Sequence, residues 1–120
     1  PVVEINSLSW GSIVIGGKKY KHDIIILPDG TVKKRKGVIP GLFAHSIGKE
    51  EIEGLTETKA EVAVIGTGMS GKAHLSTGAK NYARKAGLEL IALPSPEAIS
   101  KLSQLLDQGK RAAAIIHITC

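Results

Sequence analysis

Three nearly unbroken apolar runs constrain this chain more than any other feature: VAVIG at 62–66, LELIAL at 88–93 and AAAIIHIT at 112–119. Each has the length of a strand, and the continuous apolar run VAVIG suits a strand buried on both faces, as in a parallel sheet covered by helices. The segments between them read as helices. Residues 75–86 stop at Gly87, which suits the left-handed position that ends a helix. Ser95 is placed to cap the next helix, Pro96 is tolerated at its first position, and Gly109 closes it. Leu102, Leu105 and Leu106 supply its inner face. Connections through helices give right-handed parallel crossovers, so the second half reads as β-α-β-α-β.

The first half has a different grammar. Short apolar runs alternate with turn signals from residue 3 to 36, and the pairs Gly16-Gly17 and Asp29-Gly30 mark tight turns. Antiparallel strands are predicted near 12–16, 20–27 and 31–35. A loop from Gly37 to His45 contains Pro40 and Gly41, after which Ser46 is expected to cap a helix ending near Thr58. Glu50 and Glu51 fall in its first turn, where acids favour the positive helix end. The expected fold is an α/β, three-layer domain with a mixed, mainly parallel central sheet and an N-terminal antiparallel β-hairpin extension. Residues 1–120 form one domain, β-rich through residue 45 and α/β from 46 onward.

Composition narrows the class without naming a reaction. A chain of 120 residues, 42% hydrophobic and 22% charged, is of ordinary globular size and can bury a core without disulfides or metal. The single Cys120 has no internal partner, which points to a reducing compartment. No window approaches the roughly 20 apolar residues of a membrane span, and PVVEINSLSW lacks the pattern of a secretory leader. The expectation is a cytoplasmic protein without membrane partners or cofactors.

GTGMSGKA, residues 66–73, raises the question of a bound nucleotide. Gly66, Gly68 and Gly71 fit the dinucleotide fingerprint, while Gly66, Gly71 and Lys72 fit all but the last position of a P-loop. What each motif needs elsewhere is missing. Position 73 is Ala instead of Ser or Thr, and no run ends in an acid for magnesium. The second strand ends Leu93-Pro94-Ser95, without the acid that would hold a ribose. What survives is a glycine-rich turn whose free amides, with Lys72, could receive a small anion; the alternative is that the glycines only permit a tight turn and close packing.

The net charge of +5 is unevenly spread, with Lys18, Lys19, Lys21, Lys33, Lys34, Arg35 and Lys36 falling within one short region. Clustered cations can contact a phosphate backbone. Lysines on an exposed hairpin also block edge-to-edge strand pairing. Aromatic residues make up 3% of the chain, too few for a base-stacking platform, so nucleic acid is the disfavoured reading.

Helix polarity gathers His45, Ser46, Thr67 to Lys72, Ser95 and His117 to Cys120 at the carboxyl edge of the parallel strands, where open α/β sheets place ligands. The ligand-binding set is Gly66, Thr67, Gly68, Met69, Ser70 and Lys72 with His45 and Ser46. An enzyme built there would pair His45 with Ser70 or Cys120 as acid-base or nucleophile. Ser70 fails the nucleophile-elbow pattern, because Lys72 stands where it needs glycine. His22, His45, His74 and His117 show no paired metal-ligand spacing. Trp10 is either a partner anchor or, the favoured reading, a plug between hairpin and sheet.

SLSWG at Ser7–Gly11, His45-Ser46, Gly66-x-Gly68-Met69-Ser70 and His117-x-Thr119-Cys120 occur in an order that resembles one small family. It consists of single-domain proteins of the archaeal Mth type, and includes the adipogenesis-associated domain-containing protein and, more distantly, the mitochondrial complex I assembly factor three. The resemblance implies a three-layer α/β domain with an added hairpin, and a domain of unknown function with no established enzymatic activity. The chain departs from that pattern at Gly71-Lys72 and across 33–43, where KKRKGVIPGLF stands in place of the tryptophans of some relatives. The expected function is a non-enzymatic binding or assembly module for an unidentified protein partner, with a small anion at 66–72. The enzyme is the alternative.

Overall fold

The computed structural model describes residues 3–36 and 45–120. The chain begins with β1 (Ile5–Ser9), β2 (Ser12–Ile15) and β3 (Lys18–Tyr20), which pair in that order as a small antiparallel sheet. β4 (Ile24–Ile26) and β5 (Val32–Lys34) follow as a hairpin. Next come β6 (Ser46–Ile47), α1 (Lys49–Thr56), β7 (Val62–Thr67), β8 (His74–Leu75), α2 (Thr77–Ala86), β9 (Glu89–Leu93), α3 (Ser95–Asp107) and β10 (Ala112–His117). The central sheet has the order β5-β4-β10-β7-β9. It is parallel across β10, β7 and β9 and antiparallel across β5, β4 and β10, the mixed sheet expected from the sequence.

All six residues of β7 and all six of β10 are buried, as apolar runs covered on both faces require. One face packs Ala63, Ile65, Ala113 and Ile115 against α1 and α2 through Ile52, Leu55, Ala79 and Ala83. The other packs Val64, Ala114 and Ile116 against α3, through Ala98, Leu102 and Leu105, and against Ile13 and Ile15 of the small sheet. These are the three layers.

Several boundaries differ from expectation for identifiable reasons. The strand predicted over 20–27 is two strands in two sheets, because the chain turns at Lys21–Asp23 to send the Asp23 side chain inward. Ser46 does not cap α1; it lies in β6, and Gly48 stands at the N-cap. Ser95 does not cap α3 either, since Pro94 holds the N-cap and the Ser95 hydroxyl is spent elsewhere. Gly87 ends α2 in the left-handed conformation, φ 73°, as the sequence indicates. The loop expected at Gly37–His45 lies outside the described residues as far as residue 44.

Candidate functional site

Asp23 immediately precedes β4, and because β4 runs antiparallel to β10 its carboxylate meets the end of β10. Asp23 Oδ1 accepts from the Ile118 amide at 2.9 Å, and Oδ2 lies 2.8 Å from His117 Nδ1. A carboxylate can only accept, so Nδ1 carries the proton of that contact. On the far side of the ring, His117 Nε2 lies 3.1 Å from Thr119 Oγ1. The His45 ring meets the His117 ring edge to face, with centroids 5.1 Å apart.

Arg35, just past β5, closes this network from the other side. Its Nη1 donates to Asp23 Oδ2 at 2.8 Å, while Nε and Nη2 grip the Glu51 carboxylate of α1 at 2.6 and 2.8 Å. Nη2 also donates to the Ser46 carbonyl at 2.7 Å. Two parallel bonds to one carboxylate use the planar fork of the guanidinium, which an ammonium cannot reproduce. Burial pushes the Asp23 carboxyl up, but the hydrogen bonds from His117, Ile118 and Arg35 outweigh it and hold the group below its ordinary value. Burial likewise lowers Arg35, and Glu51 and Asp23 more than offset this. Arg35 is therefore no part of an exposed basic patch: it is only 3% exposed, and the remaining lysines divide between β3 with its exit at Lys21 and the β5 edge, Lys33, Lys34 and Lys36.

The glycine-rich turn answers the question of a nucleotide in terms of packing. The Ser95 hydroxyl donates to the His117 carbonyl at 2.5 Å and accepts from the Gly68 amide at 2.9 Å. A Cβ on Gly66 would stand 2.7 Å from that same Ser95 Oγ. Met69 donates its amide to the Thr119 carbonyl at 2.6 Å, and Ser70 and Lys72 donate theirs to the Cys120 oxygen, each at 3.1 Å. The Gly71 amide bonds Gly68 and that of Ala73 bonds Thr67. The free amides expected here are already donated to the protein's own oxygens. Nor does the turn open a helix: it leads into β8, and α2 starts later with its own cap, Ser76 Oγ accepting from the Ala79 amide at 3.0 Å.

The carboxyl edge thus brings together His45, Ser46, Thr67 to Lys72, Ser95 and His117 to Cys120, as helix polarity suggests. Asp23 as the partner of His117, and Arg35 and Glu51 behind it, were not read from the sequence. Their side-chain contacts span 12 to 95 positions in the chain, and short-range spacing carries no trace of such pairing. Ser70 and Lys72 are exposed, and Cys120 is a half-buried free thiol. Among the described residues, no three His, Cys, Asp or Glu side chains converge as metal ligands, and no helix is long and apolar enough to cross a membrane.

Two surface features lie away from this edge. A groove of about 640 Å³ runs between α1 and the β4–β5 hairpin, floored by Ile25, Leu27 and Leu55, with Lys33 and Lys36 on the strand side and Glu50 and Glu57 on the helix side. Trp10, at the tip of the β1–β2 hairpin, is 66% exposed. It does not plug the gap between hairpin and sheet. Ile13 and Ile15 already fill that space from β2, and the neighbouring Gly11 amide ties the hairpin to the Ile118 carbonyl at 2.7 Å.

The sequence pattern of the family described as "Protein of unknown function (DUF498/DUF598)" matches residues 5–117. Among solved structures, the conserved hypothetical protein PH1505 from Pyrococcus horikoshii OT3 is 32% identical over 98% of this chain and 99% of its own, with a TM-score of 0.86. MT938 is 29% identical over 99% of this chain and 100% of its own, with a TM-score of 0.81. A Bordetella pertussis protein described as an Mth938-like domain, 16% identical over 98% of this chain and 89% of its own, shares the fold with a TM-score of 0.73. The Mth-type resemblance and the expected fold class are both borne out.

Proposed function

Because the chain belongs to the DUF498/DUF598 family of proteins of unknown function, its role has to be read from its own surface, and we propose that it is a non-enzymatic binding module. It holds an amphipathic segment of a partner protein in the groove between α1 and the β4–β5 hairpin. The observation supporting this reading is the groove itself, an apolar floor between a lysine wall and a glutamate wall. A helix with an apolar stripe, acidic on one flank and basic on the other, fits such a surface in one orientation only. Trp10 offers a second, separate anchor.

Backbone amide NMR with synthetic helices of this kind tests the reading. A helix of matching flanks should shift the resonances of Ile25, Leu27 and Leu55, and the Lys33→Glu, Lys36→Glu double variant should lose that response. Silence at these positions with every helix would sink it. The small anion at 66–72 has less support, since the turn's amides from Met69 to Ala73 are already bonded within the protein, leaving the exposed Ser70 and Lys72 side chains to attract it.

A second reading rests on the chain Asp23–His117–Thr119, in which a carboxylate orients one ring nitrogen while a hydroxyl lies against the other. That is the order of groups in an acid-base relay, built from other residues than the expected His45 with Ser70 or Cys120. Ester hydrolysis by the parent that disappears in both Thr119→Ala and His117→Gln would favour it over the binding module.

A further inference from the structure

The two edges of the central sheet are built differently. β5 has three residues flanked and occupied by Lys33, Lys34 and Lys36, the kind of charge that repels a second strand. β9 has five residues, and after Glu89 it presents Leu90, Ile91, Ala92 and Leu93, none of them buried. It has no proline, no lysine and no bulge in its pairing with β7. Among the described residues no strand pairs with its outer side.

The direction of the free backbone groups follows from the parallel ladder. The Glu89 amide donates inward to the Glu61 carbonyl at 3.3 Å. In a parallel pair, alternate residues turn both their N–H and their C=O to the same neighbour. Glu89, Ile91 and Leu93 therefore face β7, and Leu90 and Ala92 turn their donors and acceptors outward. This pattern is symmetric about Ile91.

We propose that β9 is a self-association edge, which pairs antiparallel with β9 of a second copy of this chain across a two-fold axis at Ile91. In that register Leu90 of each copy exchanges both backbone bonds with Ala92 of the other, four bonds in all, and the two Ile91 residues face each other as the closer, non-hydrogen-bonded pair. Ile91 and Leu93 lean toward the α3 side of the sheet. Beside them is a shallow groove of about 400 Å³ lined by Leu93, Pro96, Glu97 and Lys101 among others. Pairing sets Glu89 of one copy opposite Leu93 of the other, beside the groove that carries both Glu97 and Lys101, where the longer Lys101 side chain is the opposite charge within the groove. The second copy completes a ten-stranded sheet and leaves the groove beside α1 open.

Sedimentation velocity from about 1 μM to about 1 mM, a range spanning moderate to weak affinities, reads the proposal directly. The apparent mass of the parent should rise two-fold across it, and Ala92→Pro, which removes only an outward-facing amide, should stay at the monomer mass with an unchanged amide spectrum. Should Ala92→Pro fail to fold, cysteine cross-linking decides in a Cys120→Ser background. Ile91→Cys should form a covalent dimer under mild oxidation, because facing residues of a non-hydrogen-bonded pair meet disulfide geometry, whereas Ala92→Cys, opposite Leu90, should not. A parent that remains monomeric throughout, a folded Ala92→Pro that still dimerises, or equal cross-linking at 91 and 92 would overturn it.

Discussion

A Cβ placed on Gly68 would fall 2.2 Å from the carbonyl carbon of Cys120 and 2.9 Å from His117 Cδ2, and Gly68 itself sits at φ 107°. The backbone at Cys120 and the turn after β7 therefore occupy one space that only a glycine leaves open. Gly68→Ala should cost at least about 3 kcal/mol, combining overlap with backbone strain of about 1–3 kcal/mol. Gly54→Ala in α1, with nothing within 4 Å of its added carbon, should instead be neutral or stabilise by up to about 1 kcal/mol. Urea unfolding of the two variants side by side checks this contrast.

Arg35→Ala should destabilise by about 3–5 kcal/mol, because it removes the buried cation that offsets the Asp23 and Glu51 carboxylates together. Arg35→Lys should recover only part of the loss, lacking the fork that holds Glu51. Lys33→Ala and Lys34→Ala, on the solvated edge of β5, should stay within about 0.5 kcal/mol of the parent. Thermal denaturation of the four variants separates the buried cation from its exposed neighbours.

The depressed Asp23 carboxyl makes stability fall in acid. Its folded value lies below the ordinary 3.8, so between the two the unfolded chain binds the proton more readily and unfolding is favoured as pH drops. The contribution is complete above about pH 5 and is lost as pH falls through the folded value. Asp23→Asn should be less stable than the parent at pH 7, and the difference should shrink below about pH 4. Urea midpoints between pH 7 and pH 2.5 report it; a difference that is constant with pH would contradict the assignment.

Ser95→Ala leaves the Gly68 amide without an acceptor in a fully buried position, and should cost about 1–3 kcal/mol. Ser76→Ala removes the N-cap of α2 and should cost about 1 kcal/mol. The two serines are distinguished by hydrogen exchange. Ser95→Ala should speed exchange at Gly68, and Ser76→Ala at Ala79.

Trp10 is the only tryptophan, and at 66% exposure its emission should be that of a hydrated indole, freely quenched by iodide. Trp10→Ala should change stability by less than about 0.5 kcal/mol. A partner that covers the hairpin should shift the emission to shorter wavelength and protect it from quencher. Quenching resistance in the free protein would contradict the observed exposure.

The parallel half of the fold was legible in the sequence because its signals are local. The runs at 62–66 and 112–119 announce burial on both faces, the run at 88–93 a strand that proves to be the half-buried edge, and Gly87 marks a helix end by its own conformation. The hairpin half was less legible: β3 and β4 read as one strand because what divides them is Asp23, a polar residue whose side chain is turned inward by partners distant in the chain. Ser46 and Ser95 look like caps, but a serine hydroxyl satisfies either a helix end or a distant carbonyl, and only the fold decides which. Arg35 sits among lysines in sequence and is set apart from them by Glu51, sixteen positions away. The edge that gathers the site follows from topology; the partners within it do not.

β10 separates β4 from β7, yet it is made after both. During synthesis the hairpin and the first parallel strand must wait, each with one side unpaired, until a segment roughly 50 residues beyond β7 arrives to join them. The closing contact, from Asp23 to the Ile118 amide, spans 95 positions. The central sheet of such a chain is completed late, and the interval before β10 emerges is when exposed strands of neighbouring nascent chains are most able to pair wrongly.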